Sequence, residues 1–273
     1  MTRVGLVQTT SGIEPAANAE MLKAGVAACA ADGAEMVFTP EMSGLLDKDR
    51  ERLFANVRDE ENDVVLAAMR DEAKARGVWI ALGSLAIRPE EGAERLVNRS
   101  FLIDAEGGIA ARYDKIHLFD VDLGEGERYG ESRAYRPGER AAIADTPVGR
   151  LGLSICYDMR FPKLYETLSE AGADVLAVPA AFTRPTGEAH WHLLLRSRAV
   201  ENTAFVVAAA QTGEHVDGRA TYGHSLVVDP WGEVLLDMGT AAGHATCDID
   251  LAKVADVRRR LPSRDHRRHI EGP

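Results

Sequence analysis

The 273-residue chain predicts an α/β protein with two sheets packed together and helices on the outside. The first observation behind this is an internal echo. RVGLVQT (3–9) resembles RLGLSIC (150–156), GAEMVFTPE (33–41) resembles GADVLAVPA (172–180), and FLIDAEGGI (101–109) resembles LVVDPWGEV (226–234). Chance could produce one such pair; three in the same order indicate two halves of similar design. The second observation is the alternation of strand-like and helix-like patterns in each half. The third is that no low-complexity linker separates the halves, so residues 1–273 read as one domain with a C-terminal tail from about residue 260.

Taken in order, residues 3–9 form the opening strand, and helical periodicity follows over 17–31. Residues 36–39 make a short buried strand that Pro40 ends. Helical periodicity returns over 62–76. A hairpin turning on Glu106-Gly107-Gly108 then leads into a β-like run over 109–113; this glycine pair is a turn, not a phosphate loop. GEGERYGESRAYRPGE reads as a long loop, Gly-rich and charged. The second half repeats the scheme. An apolar run over 151–155 is a buried strand, and Pro162 opens a helix over 162–171. FTRPTGEAHW reads as a loop before a helix over 190–202, and the last hairpin turns on Pro230-Trp231-Gly232. The RRR and HRRH runs near the C-terminus read as a solvated or subunit-contacting tail.

Composition bounds the function. Hydrophobic residues make up 45% of the chain, enough for a sizeable core. The net charge of −11 argues against non-specific binding to nucleic acid or an anionic membrane, and an acidic substrate would need a locally basic pocket. Three cysteines (Cys29, Cys156, Cys247) are too few and too odd in number for a disulfide scaffold and suit a reducing compartment. No stretch is apolar enough to span a bilayer, and MTRVGLVQTT reads as a strand rather than a signal peptide, so the cytoplasm is the expected location.

Chemistry concentrates in three segments. In GRLGLSICYDMRFP (149–162), Cys156 stands where a buried strand turns into a helix. Backbone N–H groups at such an elbow are expected to lower the thiol pKa and to stabilise an oxyanion, as a cysteine nucleophile requires. A lone free cysteine is more often a small apolar filler. Two further segments change that balance: GAEMVFTPEMSG places Glu41 at the tip of a strand, and ARYDKIHLFDVD places Lys115 just after one. Together they supply a nucleophile, a base and a fixed cation, the parts needed for acyl transfer. The echo aligns Cys156 with Thr9 and Glu41 with Ala180, all at carboxyl ends of strands, where open α/β sheets bind ligands.

TPEMSG, YDKIHLFD and ICYDMRFP resemble the three signature segments of the nitrilase, or carbon–nitrogen hydrolase, superfamily. The likeness runs almost end to end and includes PAAFTRPTGEAHWHLLLRSRAVEN and RATYGHSLVVDPWGEV. RAVENTAFVVAAAQTGEH, YGHSLVVDPWG and RRRLPSRDHRR are similar to the Nit branch, more to its deaminated glutathione amidases than to ω-amidases. The resemblance implies a four-layer αββα sandwich, a Glu41–Lys115–Cys156 triad and a homodimer. It also implies a thiol amidase acting on a small amide that bears a carboxylate, without cofactor. The other readings are an ω-amidase acting on α-ketoglutaramate-type amides, an N-carbamoyl amidohydrolase, and, from a different class, a non-catalytic binding protein that keeps the fold.

The resemblance extends the site. A second glutamate after the lysine, in an ES pair, points to Glu131, with Glu125 or Glu127 as substitutes. The backbone N–H of Tyr157 is the expected partner of Lys115 in holding the oxyanion. Arg160, about one turn into the new helix, either clamps a substrate carboxylate or pairs with Asp158. Thr186 would hydrogen-bond a backbone-like amide and Phe182 would wall the pocket, or both are ordinary loop packing. His190 and His192 lie two apart on a helix and so face different ways, and no Cys/His/Asp set completes a zinc pattern. His192 also stands where the related sequences commonly carry Glu.

Overall fold

The computed structural model describes residues 1–124 and 128–272; the alternative candidates Glu125 and Glu127 lie outside the described residues. The first half contains β1 (Thr2–Gln8), α1 (Pro15–Ala31), β2 (Met36–Phe38), α2 (Arg50–Asn56), α3 (Val64–Arg76), β3 (Trp79–Ile87), β4 (Val97–Ile103) and β5 (Ile109–Asp114). A small hairpin, β6 (Asp120–Asp122) and β7 (Arg128–Gly130), comes next. The second half contains β8 (Ala142–Thr146), β9 (Gly149–Leu153), α4 (Pro162–Glu170), β10 (Val175–Ala177), α5 (Arg184–Asn202) and β11 (Phe205–Ala208). It continues with β12 (Thr212–Glu214), β13 (Ala220–Tyr222), β14 (Leu226–Val228), β15 (Val234–Asp237), β16 (Gly243–Ile249) and α6 (Ala252–Arg260).

Two six-stranded sheets result, ordered β16-β1-β2-β3-β4-β5 and β8-β9-β10-β11-β14-β15. They are built alike: an antiparallel edge strand, three parallel strands, then an antiparallel hairpin. This is the echo made physical. The edge strands are exchanged, because β16 at the end of the chain completes the first sheet while β8, from its middle, completes the second. Inward side chains of both sheets, among them Val4, Leu6, Met36, Phe38, Leu151, Leu153, Val175 and Val206, share one core. Leu22 and Val26 of α1 and Leu66 and Met69 of α3 pack with Val7, Val37, Ile80 and Leu82 on the outer face of the first sheet. Removal of that apolar surface from water, at about 25 cal/mol per Å², is what holds the layers together.

Several boundaries move. The helix expected over 190–202 begins at Arg184, so much of the FTRPTGEAHW segment is helix. Its Pro185 sits in the first turn, where a missing N–H costs nothing. Gly187 is what lets that turn lie on the β12–β13 hairpin: a Cβ there would meet Tyr222 Cγ at 2.3 Å. The long loop after Lys115 contains the β6–β7 hairpin and a 3-10 turn over Glu131–Arg133. The arginine-rich end is not simply solvated, since Arg258 pairs with Asp174 at 2.9 Å and Arg264 donates to the Ser169 carbonyl. Among the described residues no helix is long and apolar enough to cross a membrane.

Candidate active site

Each site residue leaves the end of a strand. After β2, Thr39 and Pro40 carry the chain over β3, and Glu41 follows with its backbone pinned by Gln211 Nε2 donating to its carbonyl at 3.0 Å. Gly83 permits this crossing, because a Cβ there would sit 2.1 Å from the Thr39 carbonyl oxygen and 2.4 Å from that of Pro40. Lys115 is the first residue beyond β5, its N–H bonded to the Asn98 carbonyl at 2.9 Å. Cys156 lies three residues past β9 and starts a 3-10 turn, Cys156–Arg160.

The cysteine has φ +48, a left-handed conformation that a side-chain-bearing residue adopts only when its surroundings enforce it. Two bonds hold it there. Its N–H donates to the Pro179 carbonyl at 2.9 Å, and Asp158, fully buried, folds back to accept from the Ile155 N–H at 2.9 Å. Asp158 is anchored in turn by the Tyr113 hydroxyl at 2.7 Å and by His117, whose N–H and Nδ1 lie at 3.0 and 2.7 Å. The first bond within the turn runs from the Asp158 N–H to the Ile155 carbonyl, which leaves the Tyr157 N–H ahead of the turn's own ladder.

Four side chains converge from these ends. Glu41 Oε1 accepts from Lys115 Nζ at 2.9 Å and from Asn98 Nδ2 at 2.9 Å, while Oε2 accepts from the Ala181 N–H at 2.8 Å. Glu131 takes the other side of Lys115, with Nζ at 2.9 and 3.1 Å from its two oxygens, and accepts the Phe119 N–H at 2.7 Å. Glu41 and Lys115 are 4% and 2% exposed, too buried to be ordinary surface charges. The Cys156 thiol adjoins the Glu41 carboxylate, and each acts on the other's acidity.

Burial pushes the Glu41 carboxyl up, but the Lys115 ammonium, the thiol and the Ala181 N–H outweigh it and hold the group below its ordinary range. Burial would lower Lys115, yet Glu131 and Glu41 hold it well above its usual value. The thiol behaves opposite to the sequence expectation. Burial first, and the Glu41 charge second, push Cys156 well above the usual thiol value, and Lys115 offsets only part of this. The elbow's N–H groups do not decide the outcome, because the cysteine's own N–H is spent on Pro179 and a carboxylate adjoins the sulfur. At rest the site therefore holds a neutral thiol beside a carboxylate able to take its proton.

These groups open onto a cavity of about 500 Å³, whose lining includes Tyr157, Phe182 and Thr186. Thr186 lies in the first turns of α5 and shares a hydrogen bond of 2.7 Å with Thr183. Arg160 does not line the cavity. It lies in the 3-10 turn, before α4, with its guanidinium over the rings of Tyr157 and Phe182 at 5.9 and 5.4 Å and close to His190. Nor does it pair with Asp158, whose oxygens are taken by Tyr113, His117 and the Ile155 N–H. Sequence reading missed the cations that do line the space, Lys48, Arg50, Arg128, Arg133 and Arg219, and it missed Asn98, which bridges Glu41 and Glu131. The one signal for Asn98 was a polar side chain in the strand RLVNRSFLID.

Residues 3–259 match the carbon-nitrogen hydrolase family. The chain belongs to that family. Among relatives of this carbon–nitrogen hydrolase, "Deaminated glutathione amidase" of Yersinia enterocolitica is 42% identical over 87% of this chain and 83% of its own length. The crystal structure of the Caenorhabditis elegans NitFhit protein superposes with a TM-score of 0.90 at 37% identity, covering 98% of this chain; the chain spans 65% of NitFhit, just under two thirds. An amidase from Nesterenkonia sp. AN1, 28% identical, superposes with a TM-score of 0.80 over 96% of this chain and 99% of its own. That structure carries a Glu-to-Gln substitution and the product of Michael addition of acrylamide at the active-site cysteine. The four-layer sandwich and the amidase class of carbon–nitrogen hydrolase thus stand.

Proposed function

We propose that the chain hydrolyses a small carboxylate-bearing amide to acid and ammonia through a thioester on Cys156, with deaminated glutathione as the substrate and metabolite repair as the role. The observation that carries this reading is the convergence of Glu41, Lys115 and Cys156 on the floor of one cavity, with Glu131 completing the ion-pair cluster. Glu41 takes the thiol proton as sulfur attacks the amide carbon. The oxyanion is held by Lys115 Nζ and the Tyr157 N–H. Collapse expels ammonia, which leaves with the proton held on Glu41. Glu41 then takes a proton from water, hydroxide adds to the thioester carbon, and the acid leaves as the proton returns to sulfur. Glu131 orients Lys115, and Phe182 and Thr186 wall the substrate. With Arg160 outside the cavity, its role is to fix Tyr157 and Phe182.

The cavity supports the acidic substrate. Its described lining holds six basic side chains against three acidic ones, the local reversal that a chain of net charge −11 needs. Lys48 and Arg133 pair with nothing among the described residues, and a volume of about 500 Å³ suits a tripeptide-sized amide. The same reading takes the chain as one domain forming a cytoplasmic homodimer, without nucleic-acid or membrane partners; light scattering tests the assembly. The deciding experiment measures ammonia release from deaminated glutathione and α-ketoglutaramate side by side, with Cys156→Ala as blank. Preference for the longer amide supports the proposal. Preference for the shorter one makes the chain an ω-amidase, and release undiminished in Cys156→Ala overturns the mechanism.

A further inference from the structure

Away from the cavity, three side chains from separate elements meet at the surface. His192 comes from α5, His224 from the link between β13 and β14, and Asp237 from the end of β15. His192 Nε2 lies 2.9 Å from Asp237 Oδ2, and His224 Nδ1 lies 2.9 and 3.1 Å from the two carboxylate oxygens. One ligand atom from each residue falls within 4.8 Å of the others. We propose that these three residues form a binding site for a divalent transition-metal cation of the zinc type.

The donor set is two imidazoles and one carboxylate, the chemistry that borderline cations select, and it leaves a fourth position for water. To bind the ion, each imidazole carries its N–H on the far ring nitrogen and turns a lone pair toward the metal, beside the Asp237 carboxylate.

The arrangement is also held in place beforehand. His224 has φ +55, a strained conformation for a side-chain-bearing residue, fixed by Trp191 Nε1 donating to its carbonyl at 2.8 Å. The Tyr222 ring stacks on His224 with centroids 4.4 Å apart, and meets His192 edge-on at 6.2 Å. Asp237 Oδ1 is oriented by the Gly239 N–H at 2.9 Å, the kind of outer bond that fixes a metal-ligating carboxylate. All three residues are partly exposed, at 35%, 23% and 32% of their side chains, so an ion can reach them from solvent. Bound there, it would tie α5, whose first turns wall the cavity, to the outer hairpin of the second sheet.

The test uses Cys156→Ala protein, so that the reactive thiol cannot take the metal. Zinc chloride is equilibrated against it by dialysis, with bound zinc counted per chain and Tm recorded with and without the ion. The expected result is one zinc per chain and a rise in Tm. Adding His192→Ala, or separately the isosteric Asp237→Asn, should weaken zinc binding by at least about tenfold and abolish the Tm rise. Failure of the parent protein to bind zinc, or equal binding in all three proteins, overturns the proposal. Neither outcome touches the amidase reading, which is tested on ammonia release alone.

Discussion

Replacing Glu41 by Gln should push turnover and thiol acidity in opposite directions. In the folded protein the Glu41 carboxylate takes Lys115 and Asn98 on Oε1 and the Ala181 N–H on Oε2. Gln keeps the first oxygen but sets an NH₂ against the Ala181 N–H, a mispairing that costs about 1–3 kcal/mol and leaves the protein folded. The charge matters more. A carboxylate at hydrogen-bond range of a nascent thiolate, about 4 Å away, opposes it by about 4 kcal/mol at an effective dielectric of about 20. Recovery of even a third of that eases ionisation about tenfold, and Lys115 remains to attract the thiolate. On the proposed mechanism the lost base lowers kcat by about 10²–10⁴-fold. The assay is ammonia release alongside the iodoacetamide rate at Cys156, read by mass spectrometry at fixed pH. Cys29 serves as folding control, because burial pushes its thiol up to about 12 and it should stay unmodified. Alkylation of Cys156 should rise at least tenfold as turnover falls. An unchanged or slower rate would refute the claim that the Glu41 charge keeps the thiol protonated.

Other perturbations follow from the same geometry. Arg133→Ala and Lys48→Ala should each raise KM for a carboxylate-bearing amide about tenfold, the loss of one charged contact of about 1.4 kcal/mol, with kcat on an uncharged amide unchanged. Gly83→Ala forces a methyl group against the Thr39 and Pro40 carbonyls and should cost about 3 kcal/mol, seen as a fall of about 6 °C in Tm. Stability should decline at both pH extremes, as thermal melts across pH would show. On the acid side Glu41, held below its ordinary 4.5, contributes stability that is lost as pH falls through its folded value, and His215, buried and held below 6.5, also favours the higher pH. On the alkaline side Lys115, held above 10.5, and Cys156, held above 9.0, contribute stability that is present below those ordinary values and lost as pH climbs through the folded ones. A melting temperature still rising between pH 9 and 12 would contradict that assignment.

The strand ends and the three candidate residues, Glu41, Lys115 and Cys156, were legible because each is a local signal. A short apolar run, a proline that stops it and a reactive side chain at its tip can all be read within a dozen residues, as in VFTPEMSG and LSICYDMRFP. The echo carried this further. Glu41 after β2 matches Ala180 after β10, and the Glu41 carboxylate accepts the N–H of the next residue, Ala181, at 2.8 Å. What stayed hidden depends on approach across the fold. Asn98 joins Glu41 and Glu131 through a register that only the paired strands define. Asp158 reads as a partner for nearby Arg160, yet it turns to Tyr113 and His117, more than 40 positions earlier, and so shapes the elbow. The thiol is the sharpest case. Its local surroundings, a strand end followed by N–H groups, argue for easy ionisation. Its tertiary surroundings bring a buried carboxylate from the other half of the chain and leave little water. The second environment prevails because desolvation and a charge at contact range outweigh the partial charges of N–H groups already committed to other acceptors. The same balance gives the proposed reaction its order: proton transfer to Glu41 must accompany attack, since a free thiolate is not the resting state.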